Sequence, residues 1–359
     1  MKKVITILAL ALTTSVTFAQ DTPLEITGSA DLYYKYDFSG NQNIGTSFAT
    51  DQNSVSLGMI DIALKKKTGK TSFVGEVSFG PRGQRQSIPT DGIFGVDTND
   101  DNGQSFHIQN LYAAYAASDK LTLTAGFMAT FIGYEVISPL SNFHYSTSYL
   151  FTNGPFQNAG VKATYAFSSK VSLMAGLFND GWNKYQADAD LGLNNFGAQL
   201  TLTPVEGFSA YINFLDGSAS GTIIDLTAAY QITEKFKLGL NVADYSGTAD
   251  DTGYTGFALY PSYAVNKNFS LGLRAENFKA KKFSTFSAND FSDGVVGDES
   301  VTAFTLSANL KSGGLTFIPE FRMDSGSENM FSDSDFATTG NTAATKSASQ
   351  VTLAVVYGF

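Results

Sequence analysis

Cysteine is absent from all 359 residues, so thiol catalysis, thiolate-bound zinc and cysteine-held clusters are excluded together. Stability has to come from something other than disulfides. Histidine occurs twice, as His107 and His144, which leaves room for at most one or two Ser–His–Asp triads. No Gly-x-Ser-x-Gly elbow, phosphate loop or dinucleotide fingerprint occurs. Lys and Arg total 23 against 33 Asp and Glu, and no basic patch is present to neutralise phosphates, which disfavours nucleic acid as a partner. Beyond residue 19 no apolar run reaches the ~20 residues that a membrane-crossing helix needs.

The first 19 residues have their own layout: Lys2 and Lys3, an apolar run from Val4, then Thr17-Phe18-Ala19. That pattern predicts an export signal cleaved before Gln20. Without it the chain has 359 − 19 = 340 residues and a formal charge of 21 − 33 = −12. What remains is rich in Phe (30), Tyr (17) and Gly (34) but poor in Pro (8), a composition that favours strands joined by turns.

The dominant pattern has period two. In 24–38, Ile26, Gly28, Ala30, Leu32, Tyr34, Tyr36 and Phe38 share one face, and Glu25, Thr27, Ser29, Asp31, Tyr33, Lys35 and Asp37 share the other. The same reading predicts sixteen strands: 24–38, 53–66, 70–80, 104–117, 121–130, 156–167, 171–179, 194–203, 207–215, 222–232, 236–245, 254–265, 269–279, 300–310, 315–324 and 348–359. The second slips phase after Met59, which suggests a bulge or a misplaced boundary, and the fourth is similarly apolar on both faces. Short and long connections alternate along the chain, so an up-and-down meander would gather all tight turns at one end. Four segments, "YAASDKLTLTAG" (115–126), "YAFSSKVSLMAG" (165–176), "YQITEKFKLGL" (230–240) and "YAVNKNFSLGL" (263–273), repeat an aromatic, a polar turn and an apolar strand start. They set Tyr115, Tyr165, Phe167, Tyr230, Phe236, Tyr263 and Phe269 at one level, as a membrane interface would.

Sixteen one-faced strands in a single meander cannot stay flat without exposed edges, and in lipid an open edge leaves backbone groups unpaired. The expected fold is therefore all-β, a transmembrane antiparallel up-and-down barrel over 20–359, with the last strand closing on the first. Strands of about 11 residues suit a tilted crossing, and a barrel of this count encloses an aqueous lumen. A soluble β-sandwich is the alternative fold.

The stretch 104–182 goes beyond architecture. "SFHIQNLYAAY", "LTLTAGFMATFIGYEV", "NFHYSTSYLFTNGPFQNAGVKATYAF" and "VSLMAGLFNDGW" resemble the outer-membrane β-barrel porins known chiefly from Gram-negative bacterial genome sequences. The ending, with Tyr357 and a final Phe359, is similar to the signature read by the barrel-assembly machinery. These resemblances imply an outer-membrane porin passing small hydrophilic solutes or ions, with short turns and termini in the periplasm and long loops outside. They also imply contact with lipid and lipopolysaccharide, and association as a homotrimer.

Candidate site residues follow. The third long loop, 131–155, is too apolar for a solvated loop, and sixteen-strand porins fold this loop into the lumen. By that analogy it is expected to form the constriction, through Tyr134, Glu135, His144 and Tyr145, the alternative being a loop packed over the barrel mouth or against a neighbouring subunit. Charges on the lumen parity, Asp31, Lys35, Glu76, Lys162, Asp225, Arg274, Glu276, Glu320 and Arg322, are expected to line the pore, because facing lipid would cost roughly 2–4 kcal/mol each. Wall networks without solute specificity are the plainer reading for most of them. Arg82 and Arg85 could face Glu135 across the pore. Asp97, Asn99 and Asp101 alternate as in a calcium loop, but Ile108 stands where a bidentate Glu belongs, and a solvated acidic loop fits better. Acid in 244–251 and 289–299 would allow divalent ions to bridge these loops to anionic surface lipid. Two other functions compete, a plugged structural or adhesive barrel and a barrel-wall lipid hydrolase starting from His144 and a serine of "HYSTS". No cofactor is implied, and the chain is not expected to be an enzyme.

Overall fold

The computed structural model describes residues 21–82, 106–286, 295–333 and 344–359. Arg85, Asp97, Asn99, Asp101 and the expected export signal lie outside them.

Sixteen antiparallel strands form one closed barrel. In chain order they are β1 (Glu25–Asp37), β2 (Val55–Thr68), β3 (Thr71–Phe79), β4 (Phe106–Ala116), β5 (Leu121–Ala129), β6 (Gln157–Ser168), β7 (Val171–Phe178) and β8 (Asn195–Leu202). There follow β9 (Phe208–Gly217), β10 (Gly221–Gln231), β11 (Phe236–Ser246), β12 (Gly253–Asn266), β13 (Phe269–Ala280), β14 (Ser300–Ser312), β15 (Leu315–Gly326) and β16 (Ser347–Gly358). Each strand pairs with its sequence neighbours, and β16 returns to β1 in register from Ser29 opposite Gly358 to Asp37 opposite Gln350. Closure reaches the last residue: the Phe359 amide donates to the Gly28 carbonyl (3.0 Å), and the Gly28 amide donates to the Phe359 carbonyl (3.1 Å). The Phe359 ring lies against Gly28, where a β-carbon would come within 2.6 Å of it. Every strand thus has two partners and no edge is left unpaired, as a lipid surround demands.

The outer face carries the apolar parity. Val55, Leu57, Ile60, Val161, Leu177, Ile212, Phe304 and Phe321 are exposed there, a pattern stable in hydrocarbon but not in water. Near the short turns Tyr115, Tyr165, Phe167, Tyr230, Tyr263 and Tyr357 are also exposed, at the level where amphipathic rings suit an interface.

The phase slip in the second strand is a bulge. Ala30 faces Ile60 while Leu32 faces Leu57, so Asp31 stands opposite both Gly58 and Met59, and its carboxylate accepts the Met59 amide (3.0 Å). The ambiguous fourth strand contains another: Glu76 faces Asn110, Val77 faces Ile108, and the lumen parity changes between Gln109 and Asn110. One expectation is corrected. Short and long connections do not alternate throughout, because β9 and β10 are joined at the long-loop end by Ser218–Ser220 alone. Asp180 makes this tight connection work by accepting the Ala219 and Ser220 amides (2.8 and 3.0 Å).

Candidate functional site

Residues 131–155 leave β5 and fold into the barrel, and the wall charges hold them there. The loop's peptide groups need partners once inside, and acidic and basic side chains on the lumen parity supply them. Glu276 on β13 accepts the Tyr149 and Leu150 amides (3.1 and 2.9 Å) at the start of α1 (Tyr149–Thr152), a single helical turn capped by Ser148. Glu320 on β15 accepts the Tyr145 and Ser146 amides (2.9 and 3.1 Å). Asp225 on β10 accepts the Gly133 amide (3.0 Å) and is held by Asn213 and Asn241. In the other sense, Arg274 donates to the Ser146 carbonyl (2.6 Å) and Arg322 to the Thr147 carbonyl (2.8 Å). Sparse glycines in the wall admit the loop's rings: a β-carbon at Gly239 or Gly272 would overlap Tyr134 or Phe143 respectively.

Glu135 is the centre of this lock. It forms a 2.7 Å ion pair with Arg274 and accepts the Ser148 amide (2.7 Å) and hydroxyl (2.6 Å). Arg82 does not face it, contrary to the transverse arrangement expected from the sequence. The Arg82 guanidinium sits 3.4 Å from Asp31, over the rings of Phe48 and Tyr145 at 5.0 and 4.7 Å. Glu135 already has its cation, and the Asp31 carboxylate, which also accepts the Tyr145 hydroxyl (2.5 Å), needs one.

His144 is fully enclosed in the same lock. Its Nδ1 lies 2.7 Å from the Ser307 hydroxyl, which donates in turn to Glu320 (2.7 Å). Burial, with Arg274 nearby, holds its pKa well below the usual imidazole value, so the ring is neutral. In a hydrolytic triad the imidazole stands between serine and carboxylate; here the serine stands in the middle. The serines of "HYSTS" are engaged elsewhere, Ser148 on Glu135 and as the α1 cap, and the Ser146 carbonyl on Arg274. A second loop, 38–54, backs the first: Lys35 donates to the Ile44 carbonyl (3.2 Å), and Phe48 packs on Phe151 and Phe156 at 5.8 and 5.7 Å between centroids.

The nine wall charges named from parity all face the interior, but they divide. Asp31, Lys35, Asp225, Arg274, Glu276, Glu320 and Arg322 are buried beneath the two loops and act as anchors. Glu76, bound by Asn110 (2.6 Å), and Lys162 remain part-exposed on the opposite wall. Sequence reasoning missed Asp324, which pairs with Arg322 (2.8 Å) and accepts the Tyr149 hydroxyl (2.8 Å), and it missed Ser307. Asp324 follows Glu320 and Arg322 on the same parity and was legible by that rule; nothing local marks Ser307.

The closed barrel has known counterparts in fold. The family model described as "Putative beta-barrel porin-2, OmpL-like" matches residues 23–359.

The chain belongs to that family.

Among solved structures, an anion-selective porin from Comamonas acidovorans superposes with TM-score 0.57 at 11% identity, covering 95% of this chain and 100% of that one. The trimer form of OmpT from Vibrio cholerae, folded in vitro, gives 0.57 at 12% identity, covering 94% and 99%. A variant of the Rh. blastica porin gives 0.51 at 14% identity, covering 94% and 100%. At such identities the likeness is one of fold. A search of curated proteins finds no match. Family and fold together make this an outer-membrane porin-type barrel.

Proposed function

We propose that this family member is a diffusion channel for small hydrophilic solutes, with 131–155 as its eyelet. The carrying observation is the division of the lumen. The loop covers the wall formed by β10–β16 and β1, while inward residues Glu76, Tyr112, Thr124, Lys162, Thr164, Gln199 and Tyr211 of β3–β9 keep partial exposure. Solutes would pass between that polar lane and the loop, with Tyr134, Glu135, His144 and Tyr145 giving the loop its rigid edge rather than free charge. Selectivity would then come from pore radius and the uncommitted lumen charges. Export through a cleaved signal, insertion by the assembly machinery through the Tyr357–Phe359 end, lipopolysaccharide at the long loops and a homotrimeric assembly belong to the same reading.

Planar-bilayer recording tests it. Purified protein should give stable open steps, and deleting 136–150 should enlarge them several-fold. Steps unchanged by the deletion would remove the loop as constriction. A barrel showing no steps at all would be a plugged one.

A further inference from the structure

Beneath the inserted loop, at the short-turn end of the lumen, lies a cavity of about 270 Å³. Two lysines line it, Lys237 near the start of β11 and Lys311 near the end of β14. Both side chains are exposed, and neither has a carboxylate within ion-pair distance among the described residues. The buried arginines differ: Arg82, Arg274 and Arg322 each have an acid. Glu135 also borders the cavity, but its charge is already met by Arg274. The local balance is therefore positive in a chain whose formal net charge is −10.

The rest of the lining is mixed. Phe143, Leu140 and Tyr260 supply apolar surface, the last stacked on Tyr134 at 4.4 Å between centroids, and Asn142, Ser262, Ser270 and Asn309 supply polar groups. Ring surfaces beside several polar groups suit a small amphipathic molecule, and this volume is just below the ~300 Å³ at which small-molecule sites begin. One ring fits; an oligosaccharide does not. Lys237 and Lys311 stand three strands apart, roughly 14 Å along the wall at ~4.8 Å per strand, so they charge the mouth from two sides rather than clamp one oxygen pair.

We propose that this cavity is a binding site for small aromatic carboxylates, the ring against Phe143 and Tyr260 and the carboxylate facing Lys237 and Lys311. It deepens the channel reading by placing a solute site in the path, but its test does not depend on conduction. Calorimetric titration of benzoate into the detergent-solubilised full chain should show saturable binding. The double variant Lys237→Gln/Lys311→Gln should weaken it at least tenfold, and neutral benzyl alcohol should not compete. Fast gel mobility before boiling establishes that the variant barrel is closed; should the double variant fail to close, each single variant must weaken binding by itself.

The site is overturned if wild-type protein shows no saturable benzoate binding, if the variants bind equally well, or if benzyl alcohol binds as strongly. Benzoate binding without bilayer steps would sink the channel reading and leave the site. Steps without binding would do the reverse.

Discussion

The two halves of the barrel interior are built from the same parity rule and used in opposite ways. Beneath the loop, on β10–β16 and β1, the inward polar groups are desolvated and consumed, whereas Lys237 and Lys311 at the short-turn end of that wall stay exposed. Glu276, Glu320 and Asp225 hold backbone amides of the inserted loop, and Arg274 and Arg322 hold its carbonyls. On β3–β9 Lys162 and Glu76 stay part-exposed, and of the groups there Gln199 reaches the loop's edge, donating to the Phe131 carbonyl (3.2 Å). A charge on the lumen face therefore has no fixed meaning. Under a loop it is an anchor whose loss leaves a buried orphan; beside water it tunes what passes.

The contrast breaks most sharply at Arg274. Arg274→Met leaves Glu135 buried without its cation, and the expected cost is about 3–5 kcal/mol. Thermal loss of fast gel mobility should shift well downward, while Lys162→Met should stay within about 0.5 kcal/mol of wild type. Equal effects would erase the distinction between the halves. Next in size is the wall notch: Gly272→Val would press on the Phe143 ring, costing about 1–3 kcal/mol by overpacking and making open steps unsteady.

Protonation gives a smaller test. His144 has a depressed pKa in the folded state, so its contribution is intact above the unfolded value near ~6.5 and is lost as pH falls below it. Each pH unit below that point should cost about 1.4 kcal/mol until the folded pKa is reached. His144→Asn should remove this component, seen as a flatter difference in stability between pH 7 and 5. The smallest effect on stability belongs to Lys162→Glu. Its thermal midpoint should barely move, yet the reversal potential in a salt gradient should shift toward cations; an unmoved potential would take Lys162 out of the solute path.

Much of this architecture was readable in advance, for local reasons. Alternation in 24–38 assigns Ile26 and Leu32 to one face and Asp31 and Lys35 to the other, because successive side chains on a strand must oppose. The phase slip near Met59 marked a real bulge for the same reason. The Ser218–Ser220 connection was misjudged in length, since the Ser218 hydroxyl and the Ala219 and Ser220 amides are satisfied by Asp180, 38 to 40 residues away in sequence. The apolar character of 131–155 announced a loop that needs cover. Its partners were not announced: Glu135 meets Arg274 across 139 residues, and Arg82, which looked equally suited, is taken by Asp31.

By itself, then, the sequence determined strand number, facing and closure, because each depends on the covalent geometry of neighbouring residues and on hydrocarbon's intolerance of unpaired backbone. The inward turn of 131–155 was expected from its apolar character and from the likeness to porins. Only the tertiary structure decided which inward charges are anchors and which remain free. That choice depends on which groups lose their water when the loop seats, and desolvation is a property of the assembled interior rather than of any residue in it.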